Sequence, residues 1–212
     1  MEKESDIILR EWREEDFRPT AEIVNQTWWE GSMNEKSDHL VSNAFLRACL
    51  KDQSYIRVAE KDGKILGVIM GCDRRNHHPS FTERLKYWQS ALFLLLDHDA
   101  RHMAMEDGGE EKLHKELLHK AGEKNYDAEV PFFIVSEEAR GMGVGKKLFV
   151  SLMEYFRDNN VNSWYVFTDT DCSYQFYEHV GARRQAEIYE EYTLPNGNKG
   201  DITWFLYDYE RA

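Results

Sequence analysis

The stretch VPFFIVSEEARGMGVGKKLF, from Val130 to Phe149, runs from an apolar segment through an acidic, glycine-rich turn into an amphipathic segment. The apolar segment predicts a strand, and the amphipathic one predicts a helix. Gly141, Gly143 and Gly145 alternate through the turn and leave it with few side chains. A helix that begins there points unpaired N–H groups and the positive end of its dipole at whatever lies in front of the turn. The pattern therefore predicts an anion site, most naturally for phosphate groups.

The same glycine turn also fits a purely structural role or a nucleotide site. Glycines between a strand and a helix serve simply to permit positive φ angles and tight packing. A P-loop needs Ser or Thr after Gly-Lys, but Lys147 follows Gly145 and Lys146, so a nucleotide triphosphate is disfavoured. A dinucleotide fingerprint matches in part: Asp169 ends the following predicted strand, but the glycine expected at 146 or 148 is Lys or Leu.

The composition limits the kind of protein. The chain has 212 residues, of which 42% are hydrophobic and 13% aromatic, enough to bury one good-sized core, so we expect a single domain over residues 1–212. Cys49, Cys72 and Cys172 lack paired spacing, which argues against a disulfide framework and a zinc ribbon and fits a reducing compartment. The net charge of −12 argues against nucleic acid as a partner and favours a cationic small molecule or peptide.

The hydropathy pattern bears on location. No window approaches the roughly 18 unbroken apolar residues of a membrane span. The opening residues, MEKESDIILREW, lack an apolar run followed by a small-residue cleavage site. We therefore expect a cytoplasmic protein with no membrane association.

Periodicity divides the chain into strands and helices. Strands are predicted at 6–12, on both sides of Asp62 and Gly63 within 55–72, and at 129–136, 163–169, 183–194 and 201–209. Helices are predicted at 16–29, 37–50, 144–158 and 173–180. Asp-Gly indicates a tight hairpin, the segment 129–169 implies a parallel pair with a right-handed crossover, and the last two strands form an antiparallel hairpin. The fold class is α/β (α+β), with a mixed, mostly antiparallel sheet of about seven strands and helices on both faces.

An insertion, residues 73–128, separates the third and fourth strands. A first helix is predicted from apolar residues at helical spacing, namely Leu85, Trp88, Ala91, Leu92 and Leu95. A second helical piece is predicted around 112–121, after the break EDGGEE. The insertion is too rich in helix signals to be disordered.

Two segments carry a family resemblance. Arg140, two residues, Gly143, one residue and Gly145 resemble the (Arg/Gln)-x-x-Gly-x-(Gly/Ala) motif of the GNAT superfamily of N-acetyltransferases. FYEHVGARR, residues 176–184, is similar to that family's Phe/Leu-Tyr-Glu-x-x-Gly-Phe segment, and the strand order matches from residue 7 to residue 209. The resemblance implies that the turn binds the pyrophosphate of acetyl-coenzyme A (acetyl-CoA), and that an acetyl group passes to a primary amine by direct attack in a ternary complex.

The resemblance also implies the cofactor contacts. Backbone groups of Phe133, Ile134 and Val135 would bind the pantetheine arm where the two central strands splay apart. The turn that cradles the pyrophosphate would comprise Arg140, Gly141, Met142, Gly143, Val144, Gly145 and Lys146. Thr170, where many members have Asn, and Ser173 complete the expected set. Together with Ala182, which replaces a Phe of the motif, Thr170 leaves open a non-catalytic acyl-CoA-binding or sensor domain.

The chemistry requires a base and an acid. An aliphatic amine with a pKa of about 10.4 is mostly protonated at neutral pH, so a carboxylate or water chain has to accept its proton. Glu129, at the start of the central strand, is the first candidate, with Glu190 and Asp169 behind it; each is equally explained as a solvated carboxylate. Tyr177 matches the tyrosine that protonates the departing thiolate in many members, or else it is a core tyrosine. A nucleophilic Cys172 is disfavoured, because no His marks it.

Candidate residues for the acceptor site lie at the end of the first predicted helix. Trp28, Trp29 and Glu30 fit an aromatic box with a carboxylate, suited to a cation, or else the tryptophans are core residues. His98 and His102 share a helix face, but no Glu or Cys completes a set, so no metal is expected. The insertion is expected to shape the pocket for a small-molecule or peptide amine. At the level of the family, a homodimer is also expected.

Overall fold

The computed structural model describes residues 6–76, 80–106, 108–193 and 199–211. Its strands are β1 Ile8–Glu11, β2 Tyr55–Lys61, β3 Lys64–Asp73, β4 Ala128–Val135, β5 Ser163–Asp169, β6 Arg183–Thr193 and β7 Lys199–Glu210. Its helices are α1 Phe17–Val24, α2 Glu35–Leu50, α3 Phe81–Leu96, α4 His98–Glu106, α5 Gly108–Lys120, α6 Val144–Asp158 and α7 Gln175–His179. None of the helices described is both long enough and apolar enough to cross a membrane.

The strands form one sheet of seven in the order β1-β2-β3-β4-β5-β7-β6. All neighbours are antiparallel except β4 and β5, which are parallel. The predicted β2–β3 hairpin is confirmed: Asp62 has φ 52° and Gly63 has φ 78°, the positive pair that a type I′ turn requires. The mixed, mostly antiparallel sheet with one parallel pair is therefore confirmed.

The two central strands separate soon after they meet. β4 pairs with β5 only through Ala128 with Trp164 and Glu129 with Tyr165. Beyond these pairs β4 stays bonded to β3 on its other side, and β5 stays bonded to β7 along its whole length. The sheet therefore opens into a wedge between the carboxyl-terminal parts of β4 and β5.

A β-bulge marks the point where the wedge begins. Met70 pairs with Phe132, and the next pair is Cys72 with Glu129, so β4 carries one extra residue there. Pro131 lies in this bulge, which tolerates a residue that has no N–H to donate. The extra residue shifts the alternation of side chains by one. Ala128 and Val130 lie on one face of the sheet before the bulge, and Phe132 lies on the other face after it.

Helices cover both faces of the sheet. α6 packs on one face, over a cluster that includes Leu148, Leu152 and Phe156. The opposite face is covered by α1 and α2 over the first strands and by α5 over β6 and β7. Helices on both faces, as predicted, are confirmed.

The described residues of the insertion between β3 and β4 form three helices rather than the two pieces predicted. α3 packs against α2, and α4 contacts both of them. The pattern before EDGGEE did not show that α3 and α4 are separate helices, because only Asp97, whose backbone is extended, divides them. α5 begins at Gly108, ahead of the helical piece predicted around 112–121.

Candidate active site

The wedge exposes one edge of β4. The Ser136 N–H donates to Leu66 O at 2.9 Å, so this residue faces β3. Because backbone direction alternates along a strand, the N–H and C=O of Ile134 also face β3, whereas those of Phe133 and Val135 face the wedge. An extended ligand laid in the wedge would therefore meet the backbone of Phe133 and Val135.

The glycine turn lies at the open end of the wedge. Gly141 and Gly143 have φ values of 78° and 75°, a conformation that glycine adopts without steric cost. A Cβ built on either would have no heavy atom within 4 Å, so the space in front of the turn is open. The helix start lies against the end of β4: a Cβ on Gly145 would come within 3.4 Å of Phe133 Cζ.

The first turn of α6 provides N–H donors. Gly143 is the N-cap and no side chain caps it. The Lys147 N–H bonds to Gly143 O at 3.1 Å, which leaves the N–H groups of Val144, Gly145 and Lys146 without an intrahelical acceptor. Arg140 and Lys146 have exposed side chains beside these groups. The turn thus combines N–H donors, a positive dipole end and two cations, the features of an anion site.

Glu129 lies at the closed end of the wedge. The Tyr165 hydroxyl donates to Glu129 Oε2 at 2.7 Å, and Arg74 Nη1 donates to the same hydroxyl at 3.4 Å. Burial raises the pKa of Glu129, and the Tyr165 hydrogen bond and the Arg74 charge oppose this rise. Burial raises the pKa of the neighbouring Cys72 thiol to about 11, and the Glu129 charge adds to this. Glu129 is therefore a partly buried carboxyl group of enhanced basicity.

Tyr165 was not found from the sequence. It meets Glu129 only through the register of β4 and β5, which nothing in the local pattern of either strand fixes. Of the other two candidate carboxylates, Asp169 accepts from the N–H groups of Asp171 and Cys172 at 2.8 and 3.0 Å. Asp169 therefore caps the loop after β5. Glu190 is on β6, paired with Ile202.

Tyr177 lies on α7 and is buried. Its ring centroid is 5.7 Å from that of Phe176 and 5.9 Å from that of Tyr207. Burial raises the pKa of Tyr177, and the Cys172 and Asp169 charges add to the rise, so the hydroxyl keeps its proton at neutral pH. The hydroxyl therefore carries a proton, and burial makes it a weaker acid than an exposed tyrosine.

Cys172 is a thiol of low reactivity. Its pKa is raised to about 12, mainly by burial and secondly by the Asp169 charge. Hydrogen bonds with Trp28 and Thr168 oppose the rise. A thiol with such a pKa holds almost no thiolate at neutral pH, which argues against a nucleophilic role for this cysteine.

Thr170 and Ser173 follow β5 at the rim of the wedge and are both exposed. Thr170 is fixed to β7: its N–H donates to Thr203 O at 3.1 Å, and its hydroxyl accepts from the Thr203 N–H at 3.1 Å. The residue that departs from the family motif thus anchors the loop between β5 and α7.

The two tryptophans of the predicted box belong to an aromatic cluster. They end a π-helical turn, Asn25–Trp29, and both are half-buried. The Trp28 centroid is 5.6 Å from Phe45 and 6.4 Å from Phe132 of β4, all edge to face. Glu30 follows the turn and is exposed. Because Trp28 touches Phe132 on β4 and Cys172 after β5, it spans the wedge on the face opposite α6.

The histidines of the insertion form no metal cluster within the part of the chain that the structure describes. Among these residues, no group of three or more His, Cys, Asp or Glu side chains could hold a metal ion. His98 lies 3.0 Å from Asp99 through its Nδ1 atom. Two further histidines of the insertion, His77 and His78, lie outside the described residues.

The comparison with known families decides between the phosphate ligands left open by the turn. The model of the acetyltransferase (GNAT) family matches residues 8–182, which include the wedge, the glycine turn and α7. The chain belongs to the GNAT acetyltransferase family. The partial match to a dinucleotide fingerprint is therefore set aside.

Solved structures support the fold. Protein PH1933 from Pyrococcus horikoshii OT3 has a TM-score of 0.59 and 12% identity, with 98% of this chain and 99% of that chain covered. An N-acetyltransferase from Staphylococcus aureus Mu50 has a TM-score of 0.53 and 11% identity, with 97% and 99% covered. PaiA N-acetyltransferase from Thermoplasma acidophilum, solved in complex with coenzyme A, has a TM-score of 0.50 and 13% identity, with 97% and 99% covered. Comparison with the curated proteins gave no match.

Proposed function

We propose that this GNAT protein is an acetyl-CoA-dependent N-acetyltransferase that acetylates a primary amine of a small molecule or peptide by direct attack in a ternary complex. One observation carries the proposal: the wedge between β4 and β5 has N–H donors at its open end and the partly buried carboxyl group of Glu129 at its closed end. No disulfide joins Cys49, Cys72 and Cys172, which all lie within the described residues, and this fits a reducing cytoplasmic setting.

The contacts proposed for the cofactor are mainly with backbone groups. The pyrophosphate would lie in the turn from Arg140 to Lys146, and the pantetheine arm would run along Phe133 and Val135. Ile134 is left out, because its backbone groups face β3. The distance from Val135 back to Glu129 is six residues of strand, about 20 Å at roughly 3.3 Å per residue, so an extended arm would bring the thioester towards Glu129.

The acceptor would approach from the face opposite α6. Ala128 and Val130 belong to the cluster under α6, so Glu129 between them points to the other face. Phe132 and Trp28 lie on that same face. An amine that enters beside Trp28 would therefore reach Glu129, which would accept its proton as the nitrogen attacks the thioester carbonyl.

Tyr177 is proposed as the acid that protonates the departing thiolate. Replacement of Tyr177 by Phe should lower turnover about 100-fold, near the low end of the range for a general acid, with the affinity for coenzyme A unchanged. Tyr207→Phe is the matched control, because it removes a hydroxyl from the neighbouring buried ring that bonds instead to Glu178 and Arg184. Equal turnover in wild type and Tyr177→Phe would remove Tyr177 from the mechanism.

The function itself is tested by thiol release from acetyl-CoA over a broad panel of amines. We expect release that depends on a primary amine, with one acetylated amine per thiol detected by mass spectrometry. Tight binding of acetyl-CoA without release on any amine would instead favour the acyl-CoA sensor. That second function rests on Thr170 and Ala182 alone, and Thr170 already has the loop-anchoring role described above.

A further inference from the structure

The outward face of α3 carries exposed apolar side chains along the whole helix. On α3, large apolar side chains point away from the protein: Phe81, Leu85, Trp88, Leu92, Phe93, Leu95 and Leu96. Phe81 is 80% exposed, Trp88 68% and Leu96 73%. These seven residues form the α3 stripe.

The stripe cannot turn inward, because the other side of α3 is fixed to the protein. Glu83 accepts from Arg47 at 3.2 Å, and Lys86 donates to Glu14 at 2.7 Å. Leu94 is buried against α2 and α4. The outward direction of the stripe is therefore built into the fold.

The exposed apolar area of the stripe is large for a monomeric protein. An aromatic side chain carries roughly 150–250 Å² of surface, so Phe81 and Trp88 leave on the order of 300 Å² exposed. A typical monomer has a largest apolar patch of roughly 300–600 Å². With the five other residues included, the stripe approaches the roughly 800 Å² that each partner buries in a standard-size interface.

The spacing within the stripe is that of a helix that pairs with another helix. Phe81, Leu85, Trp88, Leu92 and Leu95 follow each other at intervals of four, three, four and three residues, a strict heptad pattern. Glu83, the single acidic residue of α3, faces inward to Arg47. Two copies with a net charge of −12 each repel one another, and this face is one where they can approach without adding carboxylates.

We propose that the α3 stripe is the interface of a homodimer in which two α3 helices pack antiparallel about a two-fold axis near residue 90. In this register Leu85 contacts Leu95 of the second copy, and Trp88 contacts its Leu92. The two-fold axis repeats each contact with the two copies exchanged, so every apolar position of the heptad faces another apolar position. Arg84 then lies next to the carboxyl-terminal end of the second α3, whose partial negative charge attracts it. A parallel arrangement would place the two Arg84 side chains together instead.

The second copy is favoured over a lipid surface. A membrane-surface helix carries Lys and Arg on its polar face, free to meet anionic lipid headgroups. Of the two cations of α3, Lys86 is paired with Glu14 and Glu83, so Arg84 is the one left for lipid headgroups, and the net charge of the chain repels an anionic surface.

Sedimentation equilibrium of the full chain tests the proposal. We expect wild type to be a dimer at micromolar concentration, and the double variant Leu85→Glu/Leu92→Glu to dissociate at least 100 times more readily. Both positions are exposed, so the variant should fold, and unchanged binding of coenzyme A would show that it does. Val150→Glu, at an exposed position on α6, is the matched control and should remain a dimer.

A cross-link tests the register. Residue 89 of one copy would lie close to residue 89 of the other, so the single substitution Gln89→Cys should give a disulfide-linked dimer under mild oxidation. Glu154→Cys on α6 is the control and should give none. A monomeric wild type, a double Glu variant that stays dimeric, or a monomer that sediments with vesicles of phosphatidylcholine and phosphatidylglycerol would each overturn the proposal. None of these results bears on the proposed reaction, because α3 lies on the outside of α2.

Discussion

Gly143→Leu should bind coenzyme A at least 100 times more weakly than wild type. A side chain at this position would occupy the open space in front of the turn and force the positive φ of 75° on a residue that disfavours it. Loss of two hydrogen bonds to a charged group, each contributing about 1.5–3 kcal/mol, is enough for a change of this size. Isothermal titration calorimetry would measure it.

Gly122→Leu is the matched control for the glycine variant. Gly122 has a φ of 88°, and a Cβ on it would also find no atom within 4 Å, but it follows α5, outside the turn. Both variants should lose about 1–2 kcal/mol of stability through backbone strain, and only Gly143→Leu should lose the ligand. Wild-type affinity in Gly143→Leu would mean that the pyrophosphate lies elsewhere.

Glu129→Gln should lower kcat on an amine acceptor by about 100-fold or more, with the Kd for acetyl-CoA unchanged. The base must be ionised, so kcat/KM of wild type should rise with pH through the raised pKa of Glu129. This rising limb of the pH profile should be absent in Glu129→Gln. Tyr165→Phe removes a hydrogen bond that lowers the pKa of Glu129, so the limb should move to higher pH. An unchanged pH profile in Glu129→Gln would exclude Glu129 as the base.

Stability separates a catalytic effect from misfolding in the Glu129 variant. Burial raises the pKa of Glu129 above its value in the unfolded chain, so its ionised form opposes folding at neutral pH. Glu129→Gln should therefore melt no lower than wild type, because the neutral side chain lacks this cost. A lower melting temperature would indicate that the carboxylate stabilises the fold.

Local chemistry explains which parts of the fold could be read from the sequence. The Asp62–Gly63 hairpin follows from the two positive φ angles that its turn needs, and the start of α6 follows from alternating glycines before an amphipathic run. Prediction of the strand order depended on the family resemblance, because the local sequence of a strand does not determine which distant strand it pairs with. The bulge at Pro131 and the two-residue pairing of β4 with β5 became visible only in the folded sheet.

The candidate site divides in the same way. The turn was predictable because its function lies in the backbone of consecutive residues. The Glu129–Tyr165 pair was not, because it depends on register, and neither was the contact of Trp28 with both sides of the wedge. The α3 residues had helical spacing in the sequence, but periodicity shows only that a helix has an apolar face and not what covers that face.

A thermal-shift measurement with coenzyme A, acetyl-CoA, NAD and ATP in parallel tests the central claim most directly. A ligand at 100 times its Kd adds about 2.7 kcal/mol to the free energy of unfolding, which for a chain of this size raises the melting temperature by roughly 5–10 °C. We expect such a rise with the two coenzyme A species and none with NAD or ATP. Stabilisation by NAD or ATP in place of coenzyme A would contradict it.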